Sequence, residues 1–159
     1  MSRRSAALLA AGVALTVLIA DQASKAWARG ALQPGHEIMV VSGWVWFRLV
    51  SNTGAALGLF SGNNWLFIIV SLVIVVAVGL LVIRNRALGA LGIVALGAIA
   101  GGGSSNLLDR VRFGGVTDFI EVHKWPTDFN LADAAVRIGV VLFILVLLLE
   151  LRRKPVLRD

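Results

Sequence analysis

Two aspartates near the carboxyl end of the sequence are the residues best placed to do chemistry. Asp118 lies in the apolar run "VTDFI", and Asp133 lies in "FNLADAAVRIG", where a long apolar segment begins. Paired carboxylates can divide the work of activating a water molecule and protonating a leaving group. The polar stretch between them can return the chain to the same place, so the pair predicts an acid–base site.

A structural role is the simpler explanation for one of the two aspartates. Asn130 is typical of a helix N-cap, and Asp133 then takes the N3 position, where free amides and the helix dipole favour a carboxylate. Capping alone accounts for Asp133. Asp118 is harder to explain, because its apolar neighbours favour burial, and an ionisable group at membrane depth is costly and indicates function.

Other polar residues are expected on the same side of the molecule. The motifs "SNTGAALG" and "GGGSSNLLDR" contribute Asn52, Gly54, Asn106, Asp109 and Arg110. Asparagines and glycines also make caps and turns, but their clustering with both aspartates favours a shared polar site. Asp21 and Lys25 are one helical turn apart, and an ordinary i, i+4 ion pair accounts for them.

Several other chemistries are disfavoured. The sequence has no cysteine, which excludes disulfides, thiol catalysis and thiolate metal sites. His36 and His123 are the only histidines, too few for a His-Glu-x-x-His metal site. Ser104 or Ser105 with His123 would suit a serine protease, but no rhomboid-like Gly-x-Ser-Gly is present.

The elements that must position these groups are membrane helices. Of the 159 residues, 58% are hydrophobic and 15% charged, too little polar surface for a water-soluble globule. About 20 apolar residues cross a hydrocarbon core of roughly 30 Å. The predicted spans are 6–20, 65–83, 88–103 and 131–149, with outer segments 21–63 and 106–129. The sequence therefore predicts one integral all-α domain over 1–159.

The first span has two interpretations. Arg3 and Arg4 precede an apolar stretch, and Ala26–Ala28 resembles a cleavage site, as in a secretory signal peptide. A secretory signal would be followed by a soluble protein, whereas three more spans follow here. We therefore expect a signal anchor that remains in the protein.

The charges predict the orientation. One side collects the cations Arg3, Arg4, Arg84, Arg86, Arg152, Arg153, Lys154 and Arg158 against the acids Glu150 and Asp159. By the positive-inside rule this side, with both termini, faces the cytoplasm. The net charge of +6 thus reflects topology, and nucleic-acid binding is not predicted.

The outer segments should carry a small sheet. The stretch "EIMVVSGWVWFRLVSN" is rich in β-branched and aromatic residues, with Ser42 and Gly43 as its turn. We expect an extracytoplasmic antiparallel sheet on the membrane surface. All five tryptophans fall on this side, where indoles favour the interface. The glycine-rich "LGALGIVALGAIAGGG" of the third span is typical of close helix packing.

Five motifs in order, "ADQASK", "SNTGAALG", "GGSSNLLDR", "GVTDFI" and "FNLADAAVRIG", resemble those of the lipoprotein signal peptidases, also called signal peptidase II. The resemblance covers nearly the whole chain. It implies an aspartyl endopeptidase of the bacterial inner membrane, which cuts prolipoproteins just before a cysteine that carries diacylglycerol. Asp118 and Asp133 match the catalytic pair, and the site is expected near the extracytoplasmic face.

The same resemblance assigns the remaining residues. Positions that line or support the active site are Asn52, Gly54, Asn106, Arg110, Asn130, Asp21, Lys25 and Asp109. No metal or cofactor is implied, and the partners are lipidated prolipoproteins and membrane lipids. The oligomeric state is left open, with a monomer as the default.

Three positions depart from the family pattern, and one alternative function stays open. Ser51 replaces a frequent aromatic residue, and Ser105 replaces a frequent glycine. Arg137 replaces a small or apolar residue one turn below Asp133, and it either extends toward the outer interface or pairs with Asp133. Acids in membrane helices also mark ion paths, so a small proton-coupled carrier or transport subunit is the alternative to a peptidase.

Overall fold

Four long helices and a three-stranded sheet form the protein in the computed structural model, which describes residues 1–54, 62–84 and 88–153. The elements are α1 (Arg3–Ala31), β1 (Ile38–Val41), β2 (Val45–Asn52), α2 (Asn64–Arg84), α3 (Gly89–Phe113), β3 (Val116–Val122) and α4 (Leu131–Arg153). All four helices are long and apolar enough to cross a membrane, and many of their large apolar side chains are exposed, as lipid contact requires. The predicted fold class is confirmed.

The helices extend beyond the predicted spans. Span three was expected to end at Gly103, but α3 continues to Phe113 and ends where Gly114 adopts a left-handed φ of 74°. Asn106 and Asp109 therefore lie on a helix. The last turns of α3 carry polar side chains, so the hydropathy falls before the helix ends. These side chains hydrogen-bond to α1, β3 and α4.

Helix α3 is the centre of the bundle, with α1, α2 and α4 all packed on it. A Cβ atom on Gly101 would lie 2.5 Å from the Ala14 carbonyl oxygen, and one on Gly102 would lie 2.5 Å from the Ala132 carbonyl oxygen. Only glycine permits this approach, so the predicted close packing is confirmed. The contact at Gly102 holds the start of α4, and with it Asp133, against α3.

The sheet has the strand order β1-β2-β3 and is antiparallel throughout. Its first hairpin turns at Ser42 and Gly43, as predicted, and Gly43 has a φ of 70° that glycine adopts readily. Strand β3 was not predicted. It pairs Asp118 with Val50 and Val116 with Asn52, so the sheet brings Asn52 beside Asp118.

An aromatic cluster fixes the sheet to the end of α1. Trp27 makes edge-on contacts with Phe47 of β2, at 5.5 Å between ring centroids, and with Phe119 of β3, at 6.2 Å. Arg29 adds a hydrogen bond of 2.8 Å from Nη1 to the Thr117 hydroxyl. The residues on either side of Asp118 are thus anchored to α1.

Candidate active site

Asp118 is buried in β3, with 1% of its surface exposed. Its Oδ2 accepts a 2.9 Å hydrogen bond from Asn52 Nδ2, and its Oδ1 accepts one of 2.6 Å from Asn130 Nδ2. Burial, and secondly the charge of nearby Asp133, raise the pKa of Asp118 to about 7 despite these donors. The carboxyl can therefore exchange a proton near neutral pH.

Asp133 lies in the first turn of α4, and Asn130 caps this helix as predicted. Asn130 Oδ1 accepts a 2.9 Å hydrogen bond from the Asp133 amide, and Asn106 Nδ2 donates to Asp133 Oδ1 at 2.7 Å. The side chain of Asn130 therefore contacts the backbone of one aspartate and the carboxylate of the other. The residue that caps α4 is therefore also the residue that links Asp118 to Asp133.

The asparagine amides around the pair have defined orientations. Asn52 Oδ1 accepts from the Gly54 amide at 3.0 Å, and Asn106 Oδ1 accepts from Lys25 Nζ at 2.7 Å. An amide N–H and an ammonium group can only donate, so each must face an asparagine oxygen. The NH₂ groups of Asn52, Asn106 and Asn130 consequently point to the two carboxylates.

Asp21, Lys25 and Asp109 lie behind this layer and are completely buried. Lys25 Nζ is 2.7 Å from Asp21 Oδ2, which confirms the predicted i, i+4 pair, and 3.4 Å from Asp109 Oδ2. Through its second contact, with Asp109, Lys25 also joins α1 to α3. Gln22, which the sequence analysis did not select, donates at 2.9 Å to Asp109 Oδ1. Its sequence signal is its place in the motif "ADQASK", between Asp21 and Lys25, but nothing in the sequence shows that α1 faces α3.

A cavity of about 210 Å³ opens beside Asp133. Its lining comes from α2, α3 and α4 and consists of Ser71, Ile74, Ile99, Gly103, Asn106, Arg110, Asp133, Val136 and Arg137. The Arg110 guanidinium lies 5.1 Å from the Phe67 ring centre, with Nη2 at 3.5 Å from the Gly54 carbonyl oxygen. Arg110 Nε is buried and has no hydrogen-bond partner within the described ranges, which leaves one donor free.

Arg137 contacts aromatic rings. Its guanidinium carbon lies 5.2 Å from the Phe129 ring centre and 5.4 Å from that of Trp125, both in the outer loop. Among the residues described, no ion pair within 4.0 Å joins Arg137 to Asp133. The Arg137 side chain therefore extends toward the outer loop and does not form an ion pair with Asp133.

The serine–histidine arrangement does not form among the described residues. The His123 ring lies against Trp44, with 5.7 Å between ring centroids, and the Ser105 hydroxyl donates at 2.7 Å to Asp21 Oδ2. Ser104 faces a different, apolar cavity between α1 and α2. The structure instead gathers Asn52, Gly54, Asn106, Arg110 and Asn130 around the two aspartates, as the sequence analysis expected. Residues 55–58, the second half of the motif "SNTGAALG", lie outside the described residues.

Comparisons with known proteins identify one family. A family described as signal peptidase (SPase) II matches residues 13–149. A lipoprotein signal peptidase of Syntrophomonas wolfei is 38% identical over 143 residues, which cover 90% of this chain and 95% of that relative. One from Bifidobacterium longum subsp. infantis is 42% identical over 146 residues, covering 87% and 78%. A solved bacterial membrane enzyme has a TM-score of 0.87 at 29% identity, covering 94% of this chain and 93% of its own.

Proposed function

Because the chain belongs to the signal peptidase II family, it is an aspartic-type protease that removes signal peptides from prolipoproteins, and we propose that Asp118 and Asp133 perform the cleavage. We further propose that the bond cut is the one just before a cysteine that carries diacylglycerol. The observation that carries the assignment is the single side chain of Asn130, which hydrogen-bonds the carboxylate of Asp118 and the backbone amide of Asp133.

The two carboxyl groups have different tasks. Two neighbouring carboxylates in low-dielectric surroundings share one proton, because both cannot easily be charged. Asp118, whose pKa is about 7, holds the proton and donates it to the carbonyl oxygen of the scissile bond. Asp133 is the ionised member and takes a proton from the attacking water. When the tetrahedral intermediate collapses, Asp133 passes its proton to the leaving nitrogen and Asp118 regains one from the former carbonyl oxygen. The C–N bond breaks, which releases the signal peptide with a new carboxyl group and the mature protein with a free amine.

The surroundings favour a peptide substrate. The cavity beside Asp133 is bordered by apolar side chains of three membrane helices, which suits the apolar helix of a signal peptide. The Arg110 guanidinium lines this cavity and carries several N–H donors, one of which can bind a peptide carbonyl there. A proton-coupled carrier gains no support, because the relatives compared are peptidases and both aspartates lie at one end of the bundle.

The direct test is cleavage by the purified protein. Incubation with a prolipoprotein that carries diacylglycerol on its cysteine should yield two fragments, identified by mass as the signal peptide and a mature form that begins with the lipidated cysteine. An intact substrate, or a cut at another bond, would refute the proposal.

The pH dependence of cleavage should be a bell. Activity is expected to fall as the pH rises through about 7, where Asp118 loses its proton, and also at low pH, where the pair takes up a second one. The hydrogen bond from Asn52 lowers the pKa of Asp118, so Asn52→Ala should raise that pKa and move the basic limb to higher pH. A basic limb that stays in place, measured on the lipidated substrate, would remove Asp118 as the proton donor.

Both termini should face the cytoplasm, with the active site near the extracytoplasmic face. The native chain has no cysteine, so single cysteines can be introduced at Ser2, at Asn63 and at Asn85, which lies outside the described residues. A membrane-impermeant thiol reagent added to intact cells should label position 63 only. Labelling of position 85 under the same conditions would reverse the topology.

A further inference from the structure

The buried charges behind the active site are arranged symmetrically with respect to the two aspartates. Asp21 Oδ1 accepts a 2.8 Å hydrogen bond from the backbone amide of Ala132, the residue directly before Asp133. Asp109 Oδ2 accepts one of 2.9 Å from the amide of Thr117, the residue directly before Asp118. Each buried carboxylate thus holds the backbone at the position next to one site aspartate.

Lys25 connects these two carboxylates. Its ammonium group lies 2.7 Å from Asp21 and 3.4 Å from Asp109, and all three residues have 0% of their side-chain surface exposed. The same ammonium donates to Asn106, whose NH₂ group contacts Asp133. We propose that Asp21, Lys25 and Asp109 form a clamp that sets the distance between Asp118 and Asp133 by holding the amides of Thr117 and Ala132. This inference rests on the proposed roles of the two aspartates.

Each of the two carboxylates joins its amide to a different element of the fold. Ala132 is in the first turn of α4, where backbone N–H groups have no acceptor within the helix. Asp21 comes from a different helix and provides the acceptor that the helix itself lacks. Asp109 is on α3, near the turn to β3, so it connects the strand that bears Asp118 to the central helix. Loss of either carboxylate releases one catalytic segment and leaves the other in place.

The clamp acts on the chemical step. A displacement of about 1 Å in a reacting group can cost about 10²-fold in rate. Asp21→Ala and Asp109→Ala should each reduce kcat by about 10²-fold, with KM changed little, because the cavity that receives the substrate is retained. Asp21→Asn and Asp109→Asn keep an oxygen facing the amide and should lose at most about tenfold, since a neutral hydrogen bond is about half as strong as one to a charged group.

The two alanine variants should still fold, because each keeps one buried carboxylate beside the buried Lys25 ammonium group. Either replacement leaves Lys25 paired with the remaining carboxylate, whereas removal of Lys25 would leave two buried carboxylates without a cation. Glu37→Ala serves as a matched control, because it removes a carboxylate from the partly exposed ion pair with Arg48 on the sheet. It should leave kcat and KM unchanged.

Amide hydrogen exchange in detergent micelles, followed by mass spectrometry, distinguishes a clamp from a general loss of structure. Asp109→Ala should accelerate exchange at Thr117 and not at Ala132, and Asp21→Ala should do the reverse. Unchanged exchange at the expected amide, full kcat in both alanine variants, or a loss that appears only in KM would overturn the clamp. Absence of cleavage by the wild-type protein would instead refute the proposed function, while the exchange pattern would still test the clamp.

Discussion

Asp118→Asn and Asp133→Asn are each expected to reduce prolipoprotein cleavage by on the order of 10³-fold, the scale that one positioned acid or base contributes. An amide has nearly the shape of a carboxyl group but can neither hold nor release the shared proton. The rate should be measured with purified variants at the pH optimum of the wild-type protein, on substrate that carries the lipid.

Two observations would distinguish loss of the chemical step from loss of the folded protein. The variants should remain folded in membranes, because asparagine has nearly the shape of the protonated Asp118 carboxyl group and removes a buried charge at Asp133. Glu37→Gln makes the same chemical change at a half-exposed side chain directly before β1 and should leave the rate unchanged. Full activity in either site variant would eliminate the two-aspartate mechanism.

A prolipoprotein without lipid should be cleaved about 10²-fold more slowly than the lipidated form, or not at all. Burial of an acyl CH₂ group is worth about 0.8 kcal/mol on leaving water, but acyl chains already in a bilayer gain little by moving against an apolar helix. The lipid must therefore act through position. It holds the cysteine at the depth of Asp118 and Asp133, and misplacement by about 1 Å is enough for such a loss.

The comparison requires substrates that differ only in the lipid. The same prolipoprotein, modified with diacylglycerol or left unmodified, should be incorporated into the same vesicles at the same density. The difference is then expected mainly in kcat, because both forms remain in the membrane through the signal peptide. Equal rates for the two substrates would contradict recognition by depth.

The sequence was sufficient for the features that depend on composition and local spacing. Four spans follow from apolar runs of membrane length, and the turn at Gly43 follows from its place between two β-rich runs. Asp118 could be selected because an acid between apolar neighbours is costly to bury, and such a cost indicates a function. The N-cap at Asn130 also follows from local pattern, since its partner amide is only three residues away.

The remaining features depend on contacts between distant parts of the chain. Strand β3 was missed because an acid at its centre argues against a strand until β2 and Asn52 are placed beside it. The continuation of α3 was missed because its polar side chains are satisfied by α1, β3 and α4 rather than by water. The bonds from Asp21 and Asp109 to backbone amides have no sequence signal, since any residue other than proline supplies the same donor.

The most direct test of the central claim, that Asp118 and Asp133 together drive attack of water on the peptide bond, is a single turnover in water labelled with oxygen-18. Enzyme in excess over lipidated prolipoprotein should release a signal peptide that carries one labelled oxygen in its new carboxyl group in every molecule. Direct attack by an aspartate oxygen would instead form a covalent peptidyl-aspartate anhydride, which hydroxylamine added to the reaction would convert to a peptide hydroxamate. A labelled carboxyl group with no peptide hydroxamate is the result that direct attack by an activated water predicts, and formation of the hydroxamate would contradict it.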